Sequence, residues 1–87
     1  MVRRLDVAYV YVLRSEKTGK SYVGSTSLEP VERLREHNAG RVPWTNRHRP
    51  LVLIYSEYFE SGALALKRER FFKTGKGRSI LQSVLKE

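Results

Sequence analysis

The sequence predicts an α+β domain, a three-stranded antiparallel sheet flanked by helices in the order ββαβαα. Three observations carry this expectation. Two tyrosine-bearing segments, Tyr9-Val10-Tyr11-Val12-Leu13 and Ser21-Tyr22-Val23-Gly24-Ser25, have strand composition and bracket a polar turn, Glu16-Lys17-Thr18-Gly19-Lys20. A third run, Leu51-Val52-Leu53-Ile54-Tyr55-Ser56-Glu57-Tyr58, has the same character. The segments between and after these runs carry helix start and stop residues.

The first strand is expected over 7–14. Both of its alternating faces are apolar or aromatic, which predicts cover on both sides. Thr18-Gly19 marks the turn, and the returning strand spans 20–25. A hairpin of this kind would bring Tyr11 and Tyr22 together on one small sheet. A helix follows over 29–39. Pro30 suits its first turn, where the missing N–H has no intrahelical partner anyway, and Gly40 is the expected stop. Val31, Leu34 and Asn38 fall on one side of it. Residues 41–50, Arg-Val-Pro-Trp-Thr-Asn-Arg-His-Arg-Pro, read as a basic loop, and the third strand spans 51–58. Ser61 is placed to cap a helix over 62–74 that Gly75 ends. Gly77 breaks the path before a last helix over 78–86, with Ile80, Leu81, Val84 and Leu85 on its apolar side.

At 87 residues the chain fits one domain, residues 1–87, with a small core. It has no cysteine, which excludes a disulfide framework and a Cys-rich zinc site and suits a reducing cytoplasm. The Met-Val-Arg-Arg-Leu-Asp start lacks the apolar centre of a signal peptide. No apolar run approaches the roughly 20 residues of a membrane span. Lysine and arginine number 17 against 9 acidic residues, a net charge of +8. So basic a small domain attracts polyanions through counterion release, which makes nucleic acid the leading partner class. An anionic membrane is less favoured, because no basic helix with a bulky aromatic membrane face is present.

Arg33 and His37 stand at i and i+4 on the first predicted helix, flanking the Val31/Leu34 stripe. Arginine suits phosphate because its planar fork donates two parallel hydrogen bonds and stays charged. Histidine binds phosphate or moves a proton near neutral pH. The competing reading is a solvated helix face with Glu29, Glu32 and Glu36 as ion-pair partners. In Lys67-Arg68-Glu69-Arg70-Phe71-Phe72-Lys73, Glu69 is the only acid and leans toward the apolar side, near Ala65, Leu66 and Phe72. A carboxylate there needs a cation or a hydrogen bond. A Mg²⁺ ion fits, since one or two carboxylates plus water and substrate phosphate is its usual coordination. So does simple balance by Arg68, Arg70 or Lys73. Arg68 also falls near the apolar stripe, which the helical wheel does not account for.

The basic loop offers Arg41, Trp44, Arg47, His48 and Arg49 to a nucleic-acid strand, the cations for phosphates and Trp44 for stacking on a base. Alternatively, Trp44 fills the core and the arginines are solvated. Lys73, Lys76 and Arg78, around the glycines Gly75 and Gly77, form a second phosphate-contact group. Their Gly-Lys-Gly-Arg run lacks the spacing of a P-loop.

Together these residues resemble the GIY-YIG nuclease superfamily. Tyr9-Val10-Tyr11 stands where that family has Gly-Ile-Tyr, and Tyr22-Val23-Gly24 where it has Tyr-Ile-Gly. Arg33-Leu34-Arg35-Glu36-His37 matches its Arg-Leu-x-x-His helix, and Ala65-Leu66-Lys67-Arg68-Glu69-Arg70 the segment with its metal-binding glutamate. The match spans about residues 8–82. It is similar to small stand-alone bacterial members and to the nuclease domain that begins the excision-repair subunit UvrC. No asparagine follows Glu69, although many relatives have one; Ser79, Gln82 and Ser83 are the polar side chains on hand there.

The resemblance implies divalent-metal-dependent cleavage of phosphodiester bonds in DNA, with RNA still open and a possible place in DNA repair. By family role, Tyr11 would activate the attacking water and Tyr22 would position that water or the phosphate. Gly24 would allow close backbone approach, and Arg33 would stabilise charge on the pentavalent phosphorus. His37 would assist proton transfer or contact phosphate. Glu69 would hold a single Mg²⁺ or Mn²⁺. A free phenol, with a pKa near 10, is a poor base at pH 7, so Arg33 or the metal is expected to favour its phenolate. The chain has no helix-turn-helix or zinc finger for reading sequence, so target choice would come from nucleic-acid structure or from a partner protein. The competing expectation is a nucleic-acid-binding module that keeps this fold but cleaves weakly or not at all.

Overall fold

The computed structural model describes residues 8–86. Val7, the expected start of the first strand, lies outside these residues, as do the Met1–Asp6 segment and Glu87. Strands β1 (Ala8–Ser15), β2 (Ser21–Thr26) and β3 (Leu51–Phe59) form one antiparallel sheet in the order β2-β1-β3. The central position of β1 explains its apolar composition on both faces. Val10 and Val12 pack with Ala65, Phe72 and Leu81 on one side, and Tyr11 and Leu13 pack with Leu51 and Leu34 on the other. Each fully buried aliphatic side chain of this kind contributes on the order of 1.5–3 kcal/mol.

The hairpin forms as expected. Gly19 takes a positive φ of 78° in the turn, a conformation that costs glycine little. Buried Ser15 braces the loop, its Oγ accepting from the N–H groups of Lys17 and Thr18 and donating to the His48 carbonyl. Pairing places Tyr11 opposite Gly24 and Leu13 opposite Tyr22. Tyr11 and Tyr22 are therefore diagonal neighbours on one face, with ring centroids 6.2 Å apart.

Helix α1 (Pro30–Asn38) starts at its proline and ends at Gly40, whose φ is +82°. Asn38 ties the helix to β3, with its amide donating to the Leu51 carbonyl and accepting from the Leu51 N–H. The basic loop is not wholly irregular. Pro43 opens a single-turn helix, α2 (Pro43–Asn46), too short to leave a periodic signal in sequence. Helix α3 (Gly62–Phe72) is capped by Ser61, which accepts from the Leu64 N–H.

Gly75 and Gly77 do not separate two helices in the way the composition suggested. They form the first turn of α4 (Gly75–Leu85), and Thr74 is the cap, accepting from the Gly77 N–H at 3.0 Å. Gly77 is there for room. A Cβ on it would lie 1.7 Å from the Phe71 carbonyl oxygen, inside the preceding helix. Of the predicted apolar side of this helix, Leu81 is buried and Leu85 packs on the core, whereas Ile80 faces solvent. Among the described residues no helix is long and apolar enough to cross a membrane.

Candidate active site

Four of the predicted site residues meet at the Tyr11 hydroxyl. Arg33 Nε donates to it at 3.3 Å, and His37 Nε2 lies 2.8 Å away. Tyr22 closes the group, its ring 5.1 Å from His37 and centred on the same side of the sheet as Tyr11. The hydroxyl lies over Gly24, where a Cβ would stand 2.6 Å from the oxygen and 2.7 Å from the ring carbon bearing it. Gly24 is thus required by the phenol, which occupies the space any side chain at that position would fill.

Thr45, on α2, holds the far side of the imidazole, with its Oγ1 2.7 Å from His37 Nδ1. The same hydroxyl donates to the Val42 carbonyl at 3.3 Å. A hydroxyl has one proton, so with that proton on Val42 it accepts from Nδ1–H. This arrangement leaves Nε2 bare to accept the Tyr11 proton. Burial, reinforced by the Arg33 charge, pushes the His37 pKa down to about 4, so the ring is neutral at pH 7. Thr45 had no sequence signal of its own; it follows only from the need of a fully buried histidine for partners at both nitrogens.

Burial also governs Tyr11. Its pKa is pushed up to about 12 by desolvation, which outweighs the opposing hydrogen bond from Arg33. Arg33 acts in the expected direction, toward phenolate, but burial outweighs it, because the side chain is 0% exposed and one guanidinium does not replace water. Arg33 and Tyr22 are the half-buried members that face outward. Arg33 is itself paired with Glu36 at 2.6 Å, so part of the solvated-face reading also holds for it. Arg35 and Glu32 form the exposed pair alongside.

Glu69 is not bonded to the tyrosine group. It reaches β2 from α3, where Ser25 Oγ donates to its Oε1 at 2.7 Å, one residue along from Gly24. Lys73 donates to Oε2 at 2.7 Å and balances the charge. Arg68 is committed elsewhere. It grips Glu57 with two hydrogen bonds, at 2.9 and 3.1 Å, and lies 4.3 Å from the Phe72 ring centre, which accounts for its place beside the apolar stripe.

Among the described residues no three His, Cys, Asp or Glu side chains gather as a metal cage. The donor chemistry at Glu69 nevertheless suits a hard cation held by one carboxylate, water and phosphate. One oxygen is fixed by Ser25, and the other is held by an exposed lysine that a divalent ion would displace.

The nucleic-acid candidates divide by their contacts. Arg49 is tied down, with Nε donating to the Asn46 carbonyl and Nη1 to the Asn38 carbonyl. Arg41, Arg47, Lys76 and Arg78 are exposed. Trp44 is not core. It is 49% exposed and lies between Tyr22 and His48, with ring centroids 5.4 and 4.8 Å away.

The family model of the GIY-YIG catalytic domain matches residues 7–80. A UPF0213 protein of Staphylococcus haemolyticus is 40% identical over 67 residues, covering 76% of this chain and 79% of its own. UPF0213 proteins of Enterococcus faecalis and Streptococcus pyogenes are 38% and 42% identical, over 75% and 83% of this chain and 75% and 77% of theirs. The antiparallel sheet, the helices around it and these matches agree, and the chain belongs to the GIY-YIG catalytic domain family, a family of nucleases whose members matched here are small bacterial proteins.

Proposed function

We propose that the chain is a divalent-metal-dependent endonuclease that hydrolyses phosphodiester bonds in DNA. The observation that carries this reading is the Tyr11 hydroxyl held between Arg33 Nε and a neutral His37 Nε2 above Gly24. On this reading the resting site is neutralised internally. Arg33 leaves Glu36 for the incoming phosphate and uncovers the Tyr11 oxygen. The negative phosphate offsets the Arg33 charge that holds His37 weakly basic, and Tyr11 passes its proton to His37 Nε2 in the same step in which it takes one from the attacking water, so no free phenolate forms. Tyr22, half-buried at the mouth, positions that water or the phosphate. Arg33 stabilises the charge that builds on the phosphorus oxygens.

Glu69, once released by Lys73, would hold the Mg²⁺ or Mn²⁺ ion. When bound, that ion supplies Lewis-acid polarisation of the phosphate and steadies the leaving oxygen. DNA repair in the cytoplasm is the setting this reading suggests, through the likeness to excision-repair nuclease domains.

A second reading has its own support. Tyr11 is fully buried and Glu69 is satisfied by Ser25 and Lys73, as in a nucleic-acid-binding module that works with a partner protein and does not cleave. One panel separates the two. Purified protein is incubated with plasmid, single-stranded, branched and flapped DNA and with RNA, in Mg²⁺, in Mn²⁺ and in chelator. The nuclease reading expects cleavage that chelator abolishes. Binding without cleavage of every substrate would favour the module.

A further inference from the structure

A cavity of about 600 Å³ opens beside the tyrosine group, along the outer edge of β2. Its lining joins Tyr22 and Trp44, whose ring centroids are 5.4 Å apart, with the apolar Leu81 and Leu85 of α4 and the exposed cations Lys73 and Arg78. Its size falls within the roughly 300–1,000 Å³ in which proteins take small organic groups. Three features restrict the occupant. The Trp44 indole, braced by Tyr22 and His48, keeps half its surface free, so a flat group meets a pre-ordered ring. Among the described residues the lining contains two cations and no acid, and with Lys73 drawn from its Glu69 partner both cations suit an occupant attached to phosphates. Tyr22 and Lys73 belong both to this cavity and to the proposed catalytic site, so whatever enters lies next to the reacting phosphate.

We propose that the cavity is a subsite for one unstacked nucleobase. The base packs on the exposed part of Trp44, Gln82 is the amide placed to hydrogen-bond its edge, and Lys73 and Arg78 meet the flanking phosphates. A base inside a duplex is stacked and paired and cannot enter. The favoured substrate is therefore a single-stranded or unpaired segment. This rests on the nuclease reading for its location, but not for its test.

Trp44 is the only tryptophan, so its emission reports this cavity alone. In chelator, the protein is titrated with a single-stranded oligonucleotide, with an all-abasic strand of equal length, and with a blunt duplex. The single strand is expected to quench Trp44, and the other two to leave it nearly unchanged. By anisotropy of a labelled strand, Trp44→Leu should bind roughly tenfold more weakly, as loss of one base stack implies, while Trp44→Phe keeps most of the affinity. Equal quenching by the duplex or the abasic strand, or unchanged binding by Trp44→Leu, overturns the proposal. Metal-dependent cleavage without Trp44 quenching overturns the base subsite and leaves the nuclease standing. Quenching without cleavage of any substrate supports the subsite and overturns the nuclease.

Discussion

The Tyr11 oxygen has two neighbours that act on it in opposite senses: Arg33 donates to it, and His37 stands ready to accept from it. Its surroundings tolerate no extra atom. Gly24→Ala would drive a methyl group to 2.6 Å from that oxygen, and Tyr11, fully buried, has nowhere to retreat. We expect a loss of about 1–3 kcal/mol in denaturant unfolding together with loss of cleavage. His37 sets a pH signature. Its pKa is about 4 in the fold and about 6.5 in the unfolded chain. Between those values the unfolded chain binds a proton that the native ring refuses, so stability falls as pH falls from 6.5 toward 4. Urea titrations across that window should show a shallower decline for His37→Gln. An equal decline in both proteins would remove His37 as the cause.

At the scale of elements, α3 and α4 meet at Gly77. Its backbone stands so close to the Phe71 carbonyl that Gly77→Ala requires the helices to part. The expected outcome is a drop in Tm larger than that of Thr74→Ala, which removes the cap and the hydroxyl's bond to the Phe71 carbonyl and costs about 1–2 kcal/mol. The same junction shows where sequence is informative and where it is not. Pro30 and Gly40 marked α1 because helix-end chemistry is local, and β1 was legible because cover on both faces leaves both alternating sets apolar. Gly77 read as a break because glycine disfavours helix, whereas a contact from outside its own helix decides its place. The site divides likewise. Tyr11, Tyr22, Arg33, His37 and Glu69 stood out by type and spacing. Glu36 was legible as an ion-pair partner three residues after Arg33, but Thr45 and Ser25 were not, since they hold His37 and Glu69 through pairings between elements that no residue pattern announces.

The whole molecule carries a charge of +8, and Arg41, Arg47, Lys76 and Arg78 are exposed. Binding to nucleic acid should therefore weaken linearly in log K against log salt. Lys76→Ala should reduce that slope by about one if Lys76 meets a phosphate, with similar loss across sequences. A slope unchanged by the substitution would place Lys76 outside the interface. Metal-dependent catalysis by this site is tested by single-turnover cleavage of a labelled DNA strand in Mn²⁺ by the natural chain, Arg33→Ala and Glu69→Ala, each verified as folded by circular dichroism. The expected loss is on the order of 100- to 1,000-fold for Arg33→Ala and at least as much for Glu69→Ala. Cleavage by both variants at the rate of the natural chain would contradict it.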